Sequence, residues 1–158
     1  MKMNKFALGA AAAGIALFFV YNRQWTPPSA ATPYLPLIRK QEEVNEIPHN
    51  LLARLLEQES DFNPKAHNTR TDAQGMAQIV PRWHPNIKNP FDPNEAIPYA
   101  AKYLKRLYVN FGTWDLALAA YNWGWGNMRK LLAEHGNNGF EFMPKETQNY
   151  VTEILGDL

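Results

Sequence analysis

The sequence predicts a mainly α-helical domain with a small irregular or β-containing loop region, preceded by a single apolar N-terminal helix. Apolar residues recur at helical spacing through most of the body, and no alternating, strand-like run is longer than a few residues. Residues 63–90 are rich in proline, asparagine and glycine, which favours loops or short strands there. The chain has 158 residues, 46% of them hydrophobic and 20% charged, so it can form one folded domain with an appendage.

The N-terminal segment contains an apolar stretch, residues 6–20, without a charged or polar side chain. Lys2 and Lys5 precede this stretch, and Tyr21 and Trp25 follow it. As a helix it would be about 22 Å long, shorter than the roughly 30 Å hydrocarbon core of a bilayer unless flanking residues extend it. The pattern predicts that the rest of the chain is exported across a membrane.

Two interpretations of this segment stay open. Residues 1–23 are either an uncleaved anchor, with the lysines in the cytoplasm and the aromatic side chains at the interface, or a signal peptide cleaved near the small residues 29–31. We favour the anchor, because a tryptophan and two prolines separate residues 29–31 from the apolar stretch. The proline-rich residues 24–33 are predicted to form a semi-extended tether, and residues 34–158 the folded domain.

Charge and cysteine content exclude several classes of function. Residues 1–33 hold three basic residues and no acidic one, so residues 34–158 carry a net charge of −2 from thirteen bases and fifteen acids. A slightly acidic body lacks the basic surface that nucleic-acid binding requires. The absence of cysteine excludes disulfides, thiolate zinc sites and cysteine nucleophiles. The four histidines lack metal-ligand spacing, so we expect no nucleic-acid partner, no metal and no cofactor.

The first helix of the body carries the candidate general acid. Leu51, Leu55 and Glu59 follow one another at spacings of four, so Glu59 continues an apolar face, whereas Glu57 and Asp61 are predicted to face solvent. Desolvation and the negative end of the helix dipole would both raise the pKa of the Glu59 carboxyl. A carboxyl that is protonated near neutral pH can act as a general acid. A glutamate turned to water at a frayed helix end is the alternative interpretation.

Local signals also mark the later helices. Asp92 and Pro93 predict the start of a second helix, which Pro98 is expected to kink or to delay. Gly124 and Gly136 are expected to end the third and the fourth helix. The three remaining helices are predicted between Thr113 and Gly124, over residues 127–135 before Gly136, and over residues 146–155.

Four motifs follow one another along the body. They are E-S-D-F-N-P-K-A at residues 59–66, D-A-Q-G-M-A-Q-I-V-P at 72–81, A-A-Y-N-W-G-W-G-N at 119–127 and P-K-E-T-Q-N-Y-V at 144–151. In order and spacing they closely resemble the soluble-lytic-transglycosylase-like (SLT) family, the goose-lysozyme-related murein lyases. The resemblance covers about residues 45–155 and implies a goose-type, lysozyme-like helical fold.

The resemblance also implies the site. Glu59 matches the single catalytic acid of the family. Substrate-binding roles are implied for nine further residues: Ser60, Asn68 (where a serine is common), Gly75, Met76, Gln78, Tyr121, Asn122, Glu146 and Tyr150. Aromatic side chains offer rigid faces for stacking on sugars, although core packing is an equally good interpretation of each. The aromatic candidates are Trp83, Tyr121, Trp123 and Trp125.

The implied reaction is cleavage of the β-1,4 bond between N-acetylmuramic acid and N-acetylglucosamine. Glu59 would protonate the leaving oxygen and then, as a carboxylate, deprotonate the muramic 6-hydroxyl, which closes a 1,6-anhydro end. A hydrolytic lysozyme in which Asp72 positions a water, and a weakly active peptidoglycan-binding protein, stay open as alternatives. The expected partners are peptidoglycan glycan strands and a membrane. The domain is expected in the periplasm, anchored at the inner membrane, or in the membrane of a phage virion. In either setting it could belong to an envelope-spanning or virion assembly.

Overall fold

The structure, a computed structural model, describes residues 25–156, without the side chains of residues 137 and 138. The predicted apolar N-terminal helix lies outside the described residues. In the part of the chain that is described, no helix has both the length and the apolar character needed to cross a membrane.

The described residues form six α-helices and one short hairpin, which confirms the predicted mainly helical class. The helices are α1 (Leu35–Val44), α2 (Leu51–Ser60), α3 (Pro93–Phe111), α4 (Trp114–Trp123), α5 (Trp125–His135) and α6 (Lys145–Leu155). Strands β1 (His67–Asn68) and β2 (Ala73–Gln74) pair antiparallel, with His67 opposite Gln74. Short 3₁₀ turns cover Ser29–Ala31 and Gly136–Phe142.

Helix boundaries that depend on local signals agree with the sequence. The backbone N–H of Asn94 donates to Asp92 Oδ1 at 2.9 Å, so Asp92 caps α3 as predicted. The helix begins at Pro93 and continues through Pro98, so Pro98 does not delay its start. Thr113 occupies the N-cap position of α4 but its side chain makes no capping hydrogen bond.

Two helices differ from the sequence prediction. Helix α1 was not predicted, because its ten residues bury only Ile38 and Glu42 and therefore carry a weak apolar pattern. Helix α5 begins at Trp125, two residues before the predicted start, directly after Gly124. Only one residue therefore separates α4 from α5.

The core surrounds helix α2. All six residues from Leu51 to Leu56 are buried, so this part of the helix is covered on every side, including by α1 and α6. Helix α4 packs against α3 and α6, and its residues 116–120 are buried as well. The last turn of α2 leaves this core, which places its C-terminal side chains at the surface of the cleft described below.

Residues 25–33 contact the helical body and do not form the predicted semi-extended tether. Trp25 Nε1 donates to Glu57 Oε2 at 2.7 Å, and Ala31 is fully buried in the core. Glu57 is therefore partly buried, so the prediction that it faces solvent is wrong, whereas Asp61 is exposed as predicted. A contact between residues 32 positions apart leaves no local sequence signal, which is why the pattern did not predict it.

The loop after β2 depends on Gly75. This residue has φ of +71°, and a Cβ at its position would lie 1.8 Å from the carbonyl oxygen of Pro90. Its backbone N–H donates to the Ala66 carbonyl at 2.8 Å. Both the left-handed backbone and the close approach of another chain segment require glycine here.

We expect Gly75→Ala to lower the free energy of unfolding by at least about 2 kcal/mol, because it adds left-handed strain to a backbone clash. Denaturant titration measures this loss. Gly126→Ala is the matched control, since a Cβ at that position would meet no atom within 4 Å and the backbone there is helical. Equal stability of the Gly75→Ala variant and the wild-type protein would contradict the requirement for glycine at this position.

Candidate active site

Glu59 lies where two cavities meet. The main cavity has a volume of about 880 Å³ and the small cavity one of about 360 Å³. Glu59 and Asn122 line both cavities, so they mark the junction between them. The last turn of α2 and the last turn of α4 place these two side chains there.

The Glu59 carboxyl is desolvated and held by one hydrogen bond. Tyr150 of α6 donates its hydroxyl to Glu59 Oε1 at 2.6 Å. Burial raises the pKa of Glu59 to about 7, and the Tyr150 hydrogen bond opposes part of this rise by favouring the carboxylate. Glu59 therefore keeps its proton through acidic and into neutral pH, as the helical spacing predicted.

Three side-chain hydrogen bonds fix the surroundings of Glu59. Ser60 Oγ donates to the Met76 carbonyl at 2.8 Å, and Tyr121 Oη donates to the Ala77 carbonyl at 2.9 Å. These two bonds attach the ends of α2 and α4 to the same loop. In addition, Thr147 Oγ1 donates to Asn122 Oδ1 at 2.9 Å, which connects α6 to the junction of the cavities.

The structure brings most of the implied substrate-binding residues to the two cavities. The main cavity is lined by Asn68, Gln78, Tyr121 and Asn122, and the small cavity by Asn122, Glu146 and Tyr150. Asn68 Oδ1 also accepts hydrogen bonds from the backbone N–H groups of Arg70 and Thr71, which shapes the tip of the hairpin. These residues surround Glu59 from three separate parts of the chain.

Three residues with implied substrate contacts line neither cavity. Met76 is fully buried in the core, Gly75 lies against Pro90, and the Ser60 hydroxyl is engaged by the Met76 carbonyl. These residues hold the loop that borders the main cavity in place. The contacts with substrate that the resemblance implied for these three residues stay predictions.

The aromatic candidates all line the main cavity, but they differ in exposure. Trp83 is 69% exposed, the largest exposed fraction among the described large hydrophobic residues together with that of Val109. Trp125 packs against Phe111, with ring centroids 5.1 Å apart. Trp83 therefore offers the most open aromatic surface for stacking on a sugar.

One wall of the main cavity was not predicted from the sequence. It consists of Arg82, His84, Tyr103 and Arg106. His84 Nδ1 lies 3.0 Å from the hydroxyl of Tyr99, and burial together with the Arg106 charge lowers the pKa of His84. A signal was present, because Tyr99, Tyr103 and Arg106 share one face of α3 at helical spacing.

Asp72 lines neither cavity. Its Oδ1 accepts hydrogen bonds from Gln74 Nε2 at 2.8 Å and pairs with His67 Nε2 at 2.9 Å, so it stabilises the hairpin. Glu59 is the only carboxyl group among the described residues that line the main cavity. Within residues 25–156, no group of three or more acidic or histidine side chains is arranged to hold a metal ion.

We expect the cleavage activity proposed below to fall as the pH rises through about 7, because Glu59 then loses the proton that it must donate. Tyr150→Phe removes a hydrogen bond that favours the carboxylate, so it should move this decline to higher pH. The pH dependence of kcat/KM measures the shift. If the activity of Tyr150→Phe declines at the same pH as that of the wild-type protein, the assigned effect of Tyr150 on the pKa of Glu59 is contradicted, whatever the loss in rate.

A family model and two known proteins that match this chain agree with the described geometry. The family model named Transglycosylase SLT domain matches residues 36–143. The membrane-bound lytic murein transglycosylase F of Serratia proteamaculans is 33% identical over 125 residues, which cover 70% of this chain and 25% of that protein. The soluble lytic murein transglycosylase of Escherichia coli is 31% identical over 144 residues, which cover 77% of this chain and 22% of that protein.

A comparison with solved structures also matches this chain to a lytic transglycosylase. The crystal structure of the 70 kDa soluble lytic transglycosylase from Escherichia coli matches with a TM-score of 0.69 and 30% sequence identity, over 78% of this chain and 23% of that one. The chain thus spans about a quarter of the length of these relatives. With the family model matched over most of its folded body, this chain belongs to the transglycosylase SLT domain family.

Proposed function

We propose that the protein is a peptidoglycan lytic transglycosylase. It cleaves the β-1,4 bond between N-acetylmuramic acid and N-acetylglucosamine and leaves 1,6-anhydromuramic ends, which opens the cell wall locally. The observation that carries this proposal is the desolvated Glu59 carboxyl, with its pKa raised to about 7, at the junction of two cavities. Membership of the SLT family and the names of the matched relatives support it.

Glu59 serves as both acid and base in this reaction. The protonated carboxyl donates its proton to the glycosidic oxygen while positive charge develops at the anomeric carbon of the muramic sugar. The resulting carboxylate is stabilised by the hydrogen bond from Tyr150 and then accepts the proton of the muramic 6-hydroxyl. The 6-oxygen bonds to the anomeric carbon, so the ring closes and no water is consumed. A pKa near neutrality suits both proton transfers.

The hydrolytic alternative needs a second carboxylate that activates water. Asp72, the sequence candidate for that role, lines neither cavity. Glu146 and Glu153 share the small cavity with Glu59, whereas no other carboxyl group among the described residues lines the main cavity. A sugar hydroxyl as nucleophile fits this arrangement, because it requires one carboxyl group only.

The proposal is tested by digesting purified peptidoglycan with the protein and analysing the products. The wild-type protein should release muropeptides lighter by one water than hydrolysis products, as measured by mass spectrometry. Glu59→Gln should reduce the rate by about 10²–10⁴-fold, because the amide neither donates nor accepts the proton. Asp72→Asn is the matched acid-to-amide control and should keep most of the activity, since Asp72 bonds only within the hairpin.

Each contrary outcome has a defined meaning. Reducing-end products, together with an inactive Asp72→Asn variant, would replace the lyase by a lysozyme. Binding of glycan without any cleavage would identify a peptidoglycan-binding protein of an envelope or virion assembly. Wild-type rates in Glu59→Gln would remove Glu59 from the mechanism.

For location, we propose that residues 1–23 anchor the protein in the inner membrane and that the catalytic domain lies in the periplasm. The apolar residues 6–20 and the preceding lysines support this topology. Of the two relatives described above, the one from Serratia proteamaculans is named membrane-bound and the one from Escherichia coli is named soluble. A signal peptide, or the membrane of a phage virion, is the alternative setting.

Full-length protein should remain with membranes after washing at high salt and at alkaline pH, with its N-terminal sequence intact. Deletion of residues 1–24 should release an active domain, because this boundary keeps the Trp25–Glu57 hydrogen bond and the buried Ala31. Fractionation and N-terminal sequencing measure both outcomes. Mature protein that begins at residue 32 would instead identify a cleaved signal peptide.

A further inference from the structure

Asn122 marks the junction of the two cavities together with Glu59, and its side chain has two chemically different ends. The amide nitrogen donates hydrogen bonds, whereas the carbonyl oxygen only accepts them. The residue is exposed in the last turn of α4 and lines both cavities. The end of the amide that faces the junction therefore determines whether a donor or an acceptor meets the substrate there.

A buried hydroxyl group engages one end of this amide. Thr147 Oγ1 donates to Asn122 Oδ1 at 2.9 Å. Thr147 lies in the first turn of α6, and only 2% of the residue is exposed. Among the described residues, this is the side-chain hydrogen bond that Asn122 makes. The carbonyl oxygen is thus turned toward α6, and the amide nitrogen is the end left for the junction.

Helix α6 supplies a hydroxyl donor to each of the two residues at the junction. Tyr150 donates to Glu59, and Thr147 donates to Asn122. The two donors are three positions apart, so they share one face of α6, and this helix packs against both α2 and α4. The same helix therefore sets the hydrogen bond on the acid and the orientation of the amide.

The proposed reaction requires a donor and not an acceptor at this position. Glu59 must keep its proton until it protonates the glycosidic oxygen, and its carboxylate must then accept the proton of the muramic 6-hydroxyl. A carbonyl oxygen at the junction would accept hydrogen bonds from both of these groups and so compete for both protons. An amide N–H group accepts neither proton and donates to an oxygen of the sugar instead.

We propose that Thr147 is a positioning residue that holds the Asn122 amide with its N–H donors toward the junction. This inference rests on the proposed function, because the orientation matters only when a glycan strand crosses the junction. Thr147 itself lines neither cavity, so it acts on the substrate through Asn122.

Steady-state kinetics of full-length threonine variants on peptide-free strands of alternating N-acetylglucosamine and N-acetylmuramic acid test this role. Thr147→Val keeps the shape of the side chain but removes the hydroxyl, so the amide is free to turn. Its kcat/KM should fall by about tenfold, as expected for the loss of one neutral hydrogen bond in the transition state. Thr147→Ser keeps the hydroxyl and should retain most of the wild-type kcat/KM.

Thr152→Val is the matched control, because Thr152 is an exposed threonine of the same helix that lines neither cavity. Its hydroxyl donates to the Gln148 carbonyl at 2.8 Å within α6. This variant should keep the wild-type kcat/KM. Two results would overturn the proposal: an unchanged kcat/KM in Thr147→Val, or an equal loss in Thr147→Ser and Thr147→Val.

A double-variant cycle separates action through Asn122 from a general effect on α6. In an Asn122→Ala background, Thr147→Val should cause no further loss of kcat/KM, because the group that it orients is absent. A full further loss would show that Thr147 acts through Tyr150 and Glu59, and it would reject the proposal.

Asn122→Asp tests which end of the amide the reaction needs. The aspartate keeps an acceptor for the Thr147 hydroxyl but presents a second oxygen in place of the N–H donors. Its kcat/KM should fall at least as far as that of Thr147→Val. Wild-type kcat/KM in Asn122→Asp would show that an acceptor suffices at the junction, which contradicts the proposed orientation.

The failure of the proposed function gives a different pattern. If the wild-type protein cleaves no strand, the transglycosylase assignment fails, and calorimetric titration with the same strands tests Thr147 alone. Thr147→Val should then bind at least about threefold more weakly than Thr152→Val. Equal affinities, or no binding by the wild-type protein, would reject the inference as well. If the wild-type protein and Thr147→Val cleave equally well, the transglycosylase assignment holds and the positioning role is rejected.

Discussion

The carboxyl group of Glu59 is desolvated where α2 leaves the core, and the rest of the site is arranged around that group. A pKa of about 7, against an ordinary value of 4.5, means that the ionised carboxyl is disfavoured in the folded protein by on the order of 3 kcal/mol. This cost is absent below the ordinary pKa and fully present above pH 7, so the folded state is most favoured when Glu59 is protonated. The buried residues 51–56 anchor the helix against that cost, and Tyr150 limits it by donating to the carboxylate.

The loop between β2 and α3 controls the position of Glu59 through its backbone. Successive carbonyl groups, those of Met76 and Ala77, accept hydrogen bonds from Ser60 at the end of α2 and Tyr121 at the end of α4. The loop can present both carbonyls only because Gly75 adopts a left-handed backbone against Pro90. The motif around Gly75 therefore encodes a loop conformation: Gly75 and Met76 support the loop, while Gln78 lines the main cavity.

The sequence predicted those features that depend on local signals. The Asp92 cap, the helix ends at glycines and the apolar face that leads to Glu59 all arise from neighbouring residues, and the structure contains each of them. It did not predict the packing of Trp25 on Glu57 or the presence of Arg82 and Arg106 along one cavity, because these residues come from distant segments. Motif resemblance assigned the acid and the neighbourhood of the site, but it did not distinguish side chains that line a cavity from those that support it.

The Glu59 carboxyl keeps a raised pKa although Arg82 and Arg106 line the same cavity. A guanidinium close to a carboxyl group lowers its pKa, which would make Glu59 a poorer acid. Arg106 acts on the pKa values of His84, Tyr99 and Tyr103, whereas the pKa of Glu59 responds to burial and to Tyr150. Arg106 therefore influences the aromatic wall, while burial and Tyr150 determine the pKa of Glu59. The acid and the arginines can therefore share one cleft while Glu59 keeps the proton that it must donate.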